Sequence, residues 1–392
     1  MSTESKFTII DSHIRRTIVE SNVLDFAAKL LQPSLRGWVE GYVHHRSTRG
    51  PLVVEFDPTT TCNMSCPECI SGLLLNQGQI DLARTLALID EFHRCGVKGV
   101  IFIGGGEPLA HKGMPVPILR CREHGIAVGL TTNGTLIGRY MQVIAECVSW
   151  TRVSIDAATQ ETFSIFRPSN ISQSFKRVTN NMLALAKVKR GLMGYSFLLM
   201  ERQGLGGNSV TNAHEMLKAA QLACELGCDY FEVKPAVDMQ HNLISFSLPI
   251  RESLVEQWAQ MEYLNTGKFR VIAPHSFLRL LTGTAPEQPK SYTRCPSLEM
   301  RTLITPKGIY PCPYKRGHEE TKLGDVDIPF DLFWSSNQRN QRVAEINPST
   351  DCPFFCVRHE VNLLLLTLAQ TYDDGIDLLP YMLTTETGDV FV

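Results

Sequence analysis

Six short runs rich in β-branched and aromatic residues recur along the chain: LVVEF (52–56), GVIFI (99–103), AVGLTT (127–132), TRVSI (151–155), YSFLLM (195–200) and YFEVK (230–234). Between them lie longer stretches in which apolar residues return with a helical period, among them LARTLALIDEFHRCG, VPILRCREHG, RYMQVIAECV and HEMLKAAQLACELG. Several of these stretches end in glycine, a helix stop signal. Strands alternating with helical crossovers predict parallel βαβ units, arranged as a doubly wound sheet or as a complete or partial barrel.

The rhythm has edges. Residues 1–50 read as a polar start followed by short helices (VLDFAAKLL), too few for an independent domain. The Pro-, Thr- and Ser-rich stretch TGTAPEQPKSYT (282–293) breaks the alternation and marks a boundary near residue 285. Beyond it come four cysteines, a hairpin-like RTLITPKGIYPCPY and a final apolar and acidic tail. The expected organisation is therefore an N-terminal helical extension (1–50), an α/β unit (51–285) and a small cysteine-rich α+β domain (286–392).

In a parallel barrel the loops after the carboxyl ends of the strands carry the chemistry. Following that rule, the first loop holds Cys62, Cys66 and Cys69 in TCNMSCPECI, and the second holds GGGEP (104–108). TNG (132–134), SIDA (154–157), Glu201 with Arg202, and Lys234 follow the next four strands, with Asp238 a little further on. Nearly every unusual polar group thus falls on one rim. Three closely spaced thiols point to a metal. A paired-knuckle zinc site would want a second C-x-x-C within about 20 residues, but the next cysteine, Cys95, is alone in a helical stretch. The triplet is one ligand short of a closed tetrahedral site.

Composition narrows the classes. Apolar content of 43% and charged content of 20% suit an ordinary soluble enzyme. A net charge of −2 offers no global basic field for nucleic acid or anionic membrane, so neither is expected as a partner. There is no charged start followed by an apolar segment, and apolar runs such as Leu363 to Leu366 are far too short to span a bilayer. Twelve cysteines without an export signal point to a reducing cytoplasm and to ligands rather than disulfides.

On these residues the chain resembles the radical S-adenosylmethionine (SAM) superfamily. The matches are Cys62-x3-Cys66-x2-Cys69 after the first strand and Gly104-Gly105-Gly106-Glu107-Pro108 after the second, with TTNG and VSIDA standing where members carry similar segments. The resemblance spans about residues 50–240 and implies a partial (β/α)6 TIM-like barrel. It implies that the three thiolates bind a [4Fe–4S] cluster and leave one iron open to chelate SAM, and that a flavodoxin or ferredoxin supplies the electron. Gly104, Gly105, Gly106 and Glu107 would then bind the SAM ammonium, Asn133 and Ser154 its ribose or carboxylate, and Arg167 its carboxylate. One departure concerns the position before the third cysteine, commonly aromatic and close to the adenine. Here it is Glu68, with Ile70 the nearby apolar substitute.

Cys295, Cys312, Cys352 and Cys356 form a second set, three of them preceding proline. Four thiolates suffice for structural zinc or for a complete iron–sulfur cluster, and the residues alone do not separate these. Beside a radical SAM core the region resembles the twitch module, a shortened SPASM domain, which implies a second, auxiliary [4Fe–4S] cluster. Cys95, Cys121, Cys147, Cys224 and Cys228 fall in or at the ends of helices and read as small buried residues. His44 and His45 read as surface residues.

Glu201, Arg202, Lys234 and Asp238 are the expected catalytic or substrate-contacting groups: the cations for a hydroxyl, carboxylate or phosphate, the carboxylates as a base. The expected function is hydrogen abstraction from a small polar substrate (a sugar, aminocyclitol or nucleoside), giving oxidation. Epimerisation and dehydration of the same class, maturation of a ribosomal peptide, and a non-catalytic metal scaffold are the alternatives. Against peptides stand the roughly 50 residues before the barrel, too few for a peptide-binding domain.

Overall fold

A computed structural model describes residues 26–203, 209–238, 243–282, 290–352, 356–378, 380 and 382–391. The boundary expected near residue 285 and the first 25 residues of the expected extension lie outside this set.

All six expected strands form. They are β1 (Val53–Phe56), β2 (Gly99–Phe102), β3 (Ala127–Thr132), β4 (Trp150–Ser154), β5 (Leu192–Leu199) and, after a small hairpin of β6 (Glu201–Gln203) and β7 (Ser209–Thr211), β8 (Tyr230–Pro235). Strands β1 to β5 and then β8 lie side by side and parallel, in chain order. A seventh parallel strand, β9 (Arg270–Ile272), extends the sheet beyond β8. With the crossover helices outside, this is an α/β partial barrel, one of the arrangements the pattern allows and the one the resemblance implies.

The sheet also grows the other way. Strand β10 (Arg301–Thr305) pairs parallel with β1 and antiparallel with β11 (Gly308–Tyr310), so the expected hairpin is there. It joins the barrel's own sheet, which makes the C-terminal cysteine segment a direct neighbour of the first strand.

Side chains alternate across the strands. One row, including Val54, Phe56, Val100, Phe102, Leu130, Val153, Phe197 and Phe231, is fully buried under the helices. Against it packs the helix Leu82–Cys95, whose start is capped by Asp81 accepting from the Arg84 amide (2.9 Å). Each fully buried side chain of its inner face, Leu88, Ile89 and Phe92, contributes about 1.5–3 kcal/mol. The other row faces the lumen and contains charges: Glu55 on β1, Arg152 on β4, Glu232 and Lys234 on β8.

At the amino-terminal end of the barrel the lumen is filled with apolar groups. Phe391, near the end of the chain, meets Trp150 edge to face at 5.4 Å and lies where a side chain on Gly99 would collide with it (2.8 Å). The tail that delivers it is held by the N-terminal helices, through Lys29 to Asp389 (2.6 Å) and Gln32 to the Asp389 carbonyl (2.9 Å). The opposite, carboxyl-terminal end carries the polar rim.

Candidate active site

The cysteine loop leaves β1 at Asp57, which is fully buried and grips Arg316 of the C-terminal segment in a two-point pair (2.7 and 3.2 Å). Burial pushes the Asp57 carboxyl up to about 6 although Arg316 opposes the shift. The loop is then clamped to the next one. A side chain on Gly106 would stand 2.4 Å from the Thr60 carbonyl carbon, and one on Gly104 would run into the Gly106 carbonyl. Gly106 therefore serves a backbone-to-backbone approach between the two loops, and Gly104 a tight turn within the second, neither of which another residue fits.

Glu107 is buried and committed. Its carboxylate accepts from the amides of Leu109 (3.1 Å) and Asn133 (2.7 Å) and from the Thr132 hydroxyl (2.7 Å), tying the end of β2 to the end of β3. Burial raises its pKa, and these hydrogen bonds counter the rise. Asn133 in turn donates to Asn63 of the cysteine loop (2.8 Å) and accepts from Thr135. The GGGE and TNG segments are thus the frame of the cysteine loop. Ser154, at the end of β4, is half-buried on the rim.

Cys62, Cys66 and Cys69 are half-buried and interact electrostatically with one another. Burial pushes the Cys62 thiol up to about 11 and raises Cys66 as well. Beside them, Arg167 donates twice to Asp156, with its other terminal nitrogen 3.9 Å from Cys66. Asp156 adopts a left-handed backbone (φ 59°) and also accepts from the Leu198 amide (2.8 Å). Arg167 is therefore a fixed cation on the cysteine loop.

Among the described residues no group of three or more His, Cys, Asp or Glu side chains closes around a single metal ion. A cuboidal cluster is larger than an ion and holds its thiolates further apart, so a mutually interacting but open triplet fits it. For SAM, Oε2 of Glu68 on the cysteine loop is buried and has no hydrogen-bond partner among the described residues.

Glu68 also shows why the aromatic position can be acidic. Its other oxygen pairs with Arg202 (2.5 Å), and that guanidinium lies over the Phe166 ring at 5.4 Å. Arg202 thus spans from the hairpin to the cysteine loop and is engaged there. Ile70, expected to cover the adenine, is 43% exposed and points to the surface side of the loop. Glu201 accepts from Ser209 (2.7 Å) on the exposed hairpin, apart from the lumen groups. Asp238 follows β8 and has a partner of its own.

Lys234 faces the lumen beside Glu232 (3.3 Å), which also takes Arg152 (3.2 Å). Burial and the neighbouring Arg152 pull the Lys234 ammonium below its ordinary value, with Glu232 opposing. On β1, Glu55 receives both Arg358 (3.0 Å) and Arg301 (3.1 Å). Burial would raise its pKa, but these arginines hold it below the carboxylate range. Sequence reasoning missed Glu55, Arg152, Asp156, Glu232, Arg301 and Arg358. A charge in the middle of an apolar strand run was the available signal for Glu55, Arg152 and Glu232.

The second cysteine set also converges. Cys295 feels Cys312, Cys352 and Cys356, and Cys312 feels Cys352 and Cys356. Burial pushes Cys312 up to about 12 and Cys352 up to about 11. Of the remaining cysteines, Cys95, Cys121 and Cys228 are buried as expected, Cys147 is half-buried, and Cys224 is exposed. His44 stacks on Tyr372 (4.5 Å).

Residues 56–200 match the family described as the Radical SAM superfamily. That stretch takes in the cysteine triplet and the GGGE and TNG segments, and the cofactors of that family are a [4Fe–4S] cluster and SAM. The chain is 28% identical over 190 residues to the AdoMet-dependent heme synthase of Methanosarcina barkeri, a match covering 47% of this chain and 51% of that protein. The chain thus spans about half of that relative. It is 22% identical over 314 residues to the mycofactocin maturase MftC of Mycobacterium ulcerans, covering 77% of this chain and 79% of that one. Its fold is similar to that of Streptococcus suis SuiB bound to the precursor peptide SuiA, with a TM-score of 0.59 and 15% identity over 80% of this chain and 71% of that one. Among the described residues no helix is long and apolar enough to cross a membrane.

Proposed function

We propose that this protein is a radical SAM enzyme acting on a peptide, abstracting hydrogen from a residue presented to the charged lumen. The observation that carries this reading is the match to the maturase MftC over 77% of the chain. The fold shared with SuiB, solved with its precursor peptide, points the same way. This replaces the small sugar-like substrate that the sequence alone favoured.

Cys62, Cys66 and Cys69 would hold the catalytic cluster. Bound there, the cluster and SAM supply abstraction of a hydrogen atom from an unactivated C–H bond. The chain's residues do the rest. Asn63, Asn133 and Glu107 fix the cysteine loop, and Asp156 holds Arg167 against it. Ser154 and the open oxygen of Glu68 offer hydrogen bonds to SAM. Lys234 and Arg152 offer cationic donors to a carbonyl or carboxylate of the substrate, while the apolar filling around Trp150 and Phe391 keeps water out from below. The four C-terminal cysteines would hold a second cluster.

The test uses anaerobically reconstituted protein with dithionite, SAM and either a perdeuterated peptide library or a pool of perdeuterated sugars and aminocyclitols. The peptide library is expected to stimulate 5′-deoxyadenosine formation and to pass deuterium into it. Deuterium transfer from the sugar pool, with none from peptides, overturns the reading.

A further inference from the structure

The surroundings of the two cysteine sets differ in charge. Near the rim triplet stand three carboxylates: Glu68 and Asp156 act on Cys66, and Glu107 acts on Cys62. Two of the three are paired with cations, Asp156 with Arg167 and Glu68 with Arg202, which leaves the buried Glu107 as the carboxylate in excess. Near the C-terminal set the balance reverses. Arg358 acts on Cys295 and Cys312, and Lys290 and Lys315 act on Cys352, with Asp351 the opposing carboxylate. Arg358 belongs to a buried group of one carboxylate and two guanidinium ions, Glu55 with Arg301 and Arg358, each side chain at most 9% exposed. That group carries a net positive charge inside the protein, where it is weakly screened.

A directed hydrogen bond adds to this. Asn362 is 1% exposed, and its carbonyl oxygen accepts from the Ser297 backbone amide (2.9 Å) and hydroxyl (2.7 Å). A backbone N–H can only donate, so it fixes which end of the Asn362 amide faces it. The amide nitrogen then lies 3.5 Å from the Cys295 sulfur and 3.2 Å from the Tyr292 hydroxyl, and it is the nearer end of the amide to that sulfur, the oxygen being 3.7 Å away.

We propose that Arg358 and Asn362 set the reduction potential of the C-terminal cluster, holding it above that of the rim cluster so that it keeps an electron more readily. The reasoning is electrostatic. A cube with four thiolates becomes more negative when it takes up one electron, so a nearby buried cation and an N–H···S bond favour the reduced form. Carboxylates around the rim triplet favour the oxidised form by the same argument. Both residues act through the cluster ligands and are positioning residues. The inference rests on the proposal that Cys295, Cys312, Cys352 and Cys356 bind iron and sulfide.

The experiment is a redox titration followed by electron paramagnetic resonance on the full chain carrying Cys62→Ala, Cys66→Ala and Cys69→Ala, which leaves the C-terminal cluster alone. Iron, sulfide and zinc are counted on the same sample. Adding Arg358→Gln or Asn362→Leu is expected to lower the midpoint: at the parent's midpoint the reduced-to-oxidised ratio should fall about tenfold, or 59 mV for a one-electron couple. Arg358→Lys, which keeps the charge, should recover most of the Arg358→Gln loss. An unchanged midpoint in both Arg358→Gln and Asn362→Leu, with iron retained, overturns the inference alone. Zinc in place of iron in the parent overturns the cluster assignment and the inference with it.

Discussion

Asp57 is the most informative single residue for stability, because it is fully buried and pairs with Arg316 across 259 positions of sequence. Its pKa lies at about 6 in the fold against an ordinary 3.8. A carboxyl whose folded pKa is raised binds its proton more tightly in the native state. Its stabilising contribution is therefore complete below about pH 4, fades as pH rises to about 6, and is gone above that. The displacement corresponds to on the order of 3 kcal/mol. Asp57→Asn does not titrate, so the stability of the native protein relative to this variant should fall by that order between pH 4 and 6 and then level off. Urea midpoints measured across that range check it, and a difference that grows with pH would show that Arg316 dominates instead. Residue by residue, the cysteines were legible because thiol spacing is a local signal. The pairs Glu68–Arg202, Asp57–Arg316 and Glu55–Arg358 were not, since each joins loops or strands that only the folded sheet brings together.

At the level of elements, the parallel strands and their crossovers were written in the apolar rhythm. Strand β9 escaped because three residues carry no period, and hairpin β6–β7 is equally short. The pairing of β10 with β1 was invisible for another reason: register between distant strands leaves no mark in either one. The GGGE segment was found as a motif, and the structure adds a role in the fold that the motif did not reveal. Gly106 lets two loops touch backbone to backbone, Gly104 permits the tight turn beside it, and Glu107 fastens the third loop to the second. Gly106→Ala would place its new carbon 2.4 Å from the Thr60 backbone and displace the cysteine loop. The variant should fold, lose the rim cluster and keep the C-terminal one, so its iron content should drop from about eight to about four per chain. Full iron content would show that the loops part without disturbing the ligands.

For the whole molecule, one sheet joins two thiol sites of opposite electrostatic character. The rim site opens toward a lumen lined by Arg152, Glu232 and Lys234, and the C-terminal site sits behind β1 through Glu55 and Arg358. This arrangement suits the function proposed above, in which a radical reaction would start at one site and electrons would be handled at the other. Everything depends on the rim triplet being the centre where SAM is cleaved. The most direct measurement is 5′-deoxyadenosine formed by anaerobically reconstituted Cys62→Ala, Cys66→Ala, Cys69→Ala protein under dithionite, compared with the native protein at matched C-terminal iron. Formation should be abolished while about four irons per chain remain bound. Continued 5′-deoxyadenosine formation by the triple variant would contradict the assignment.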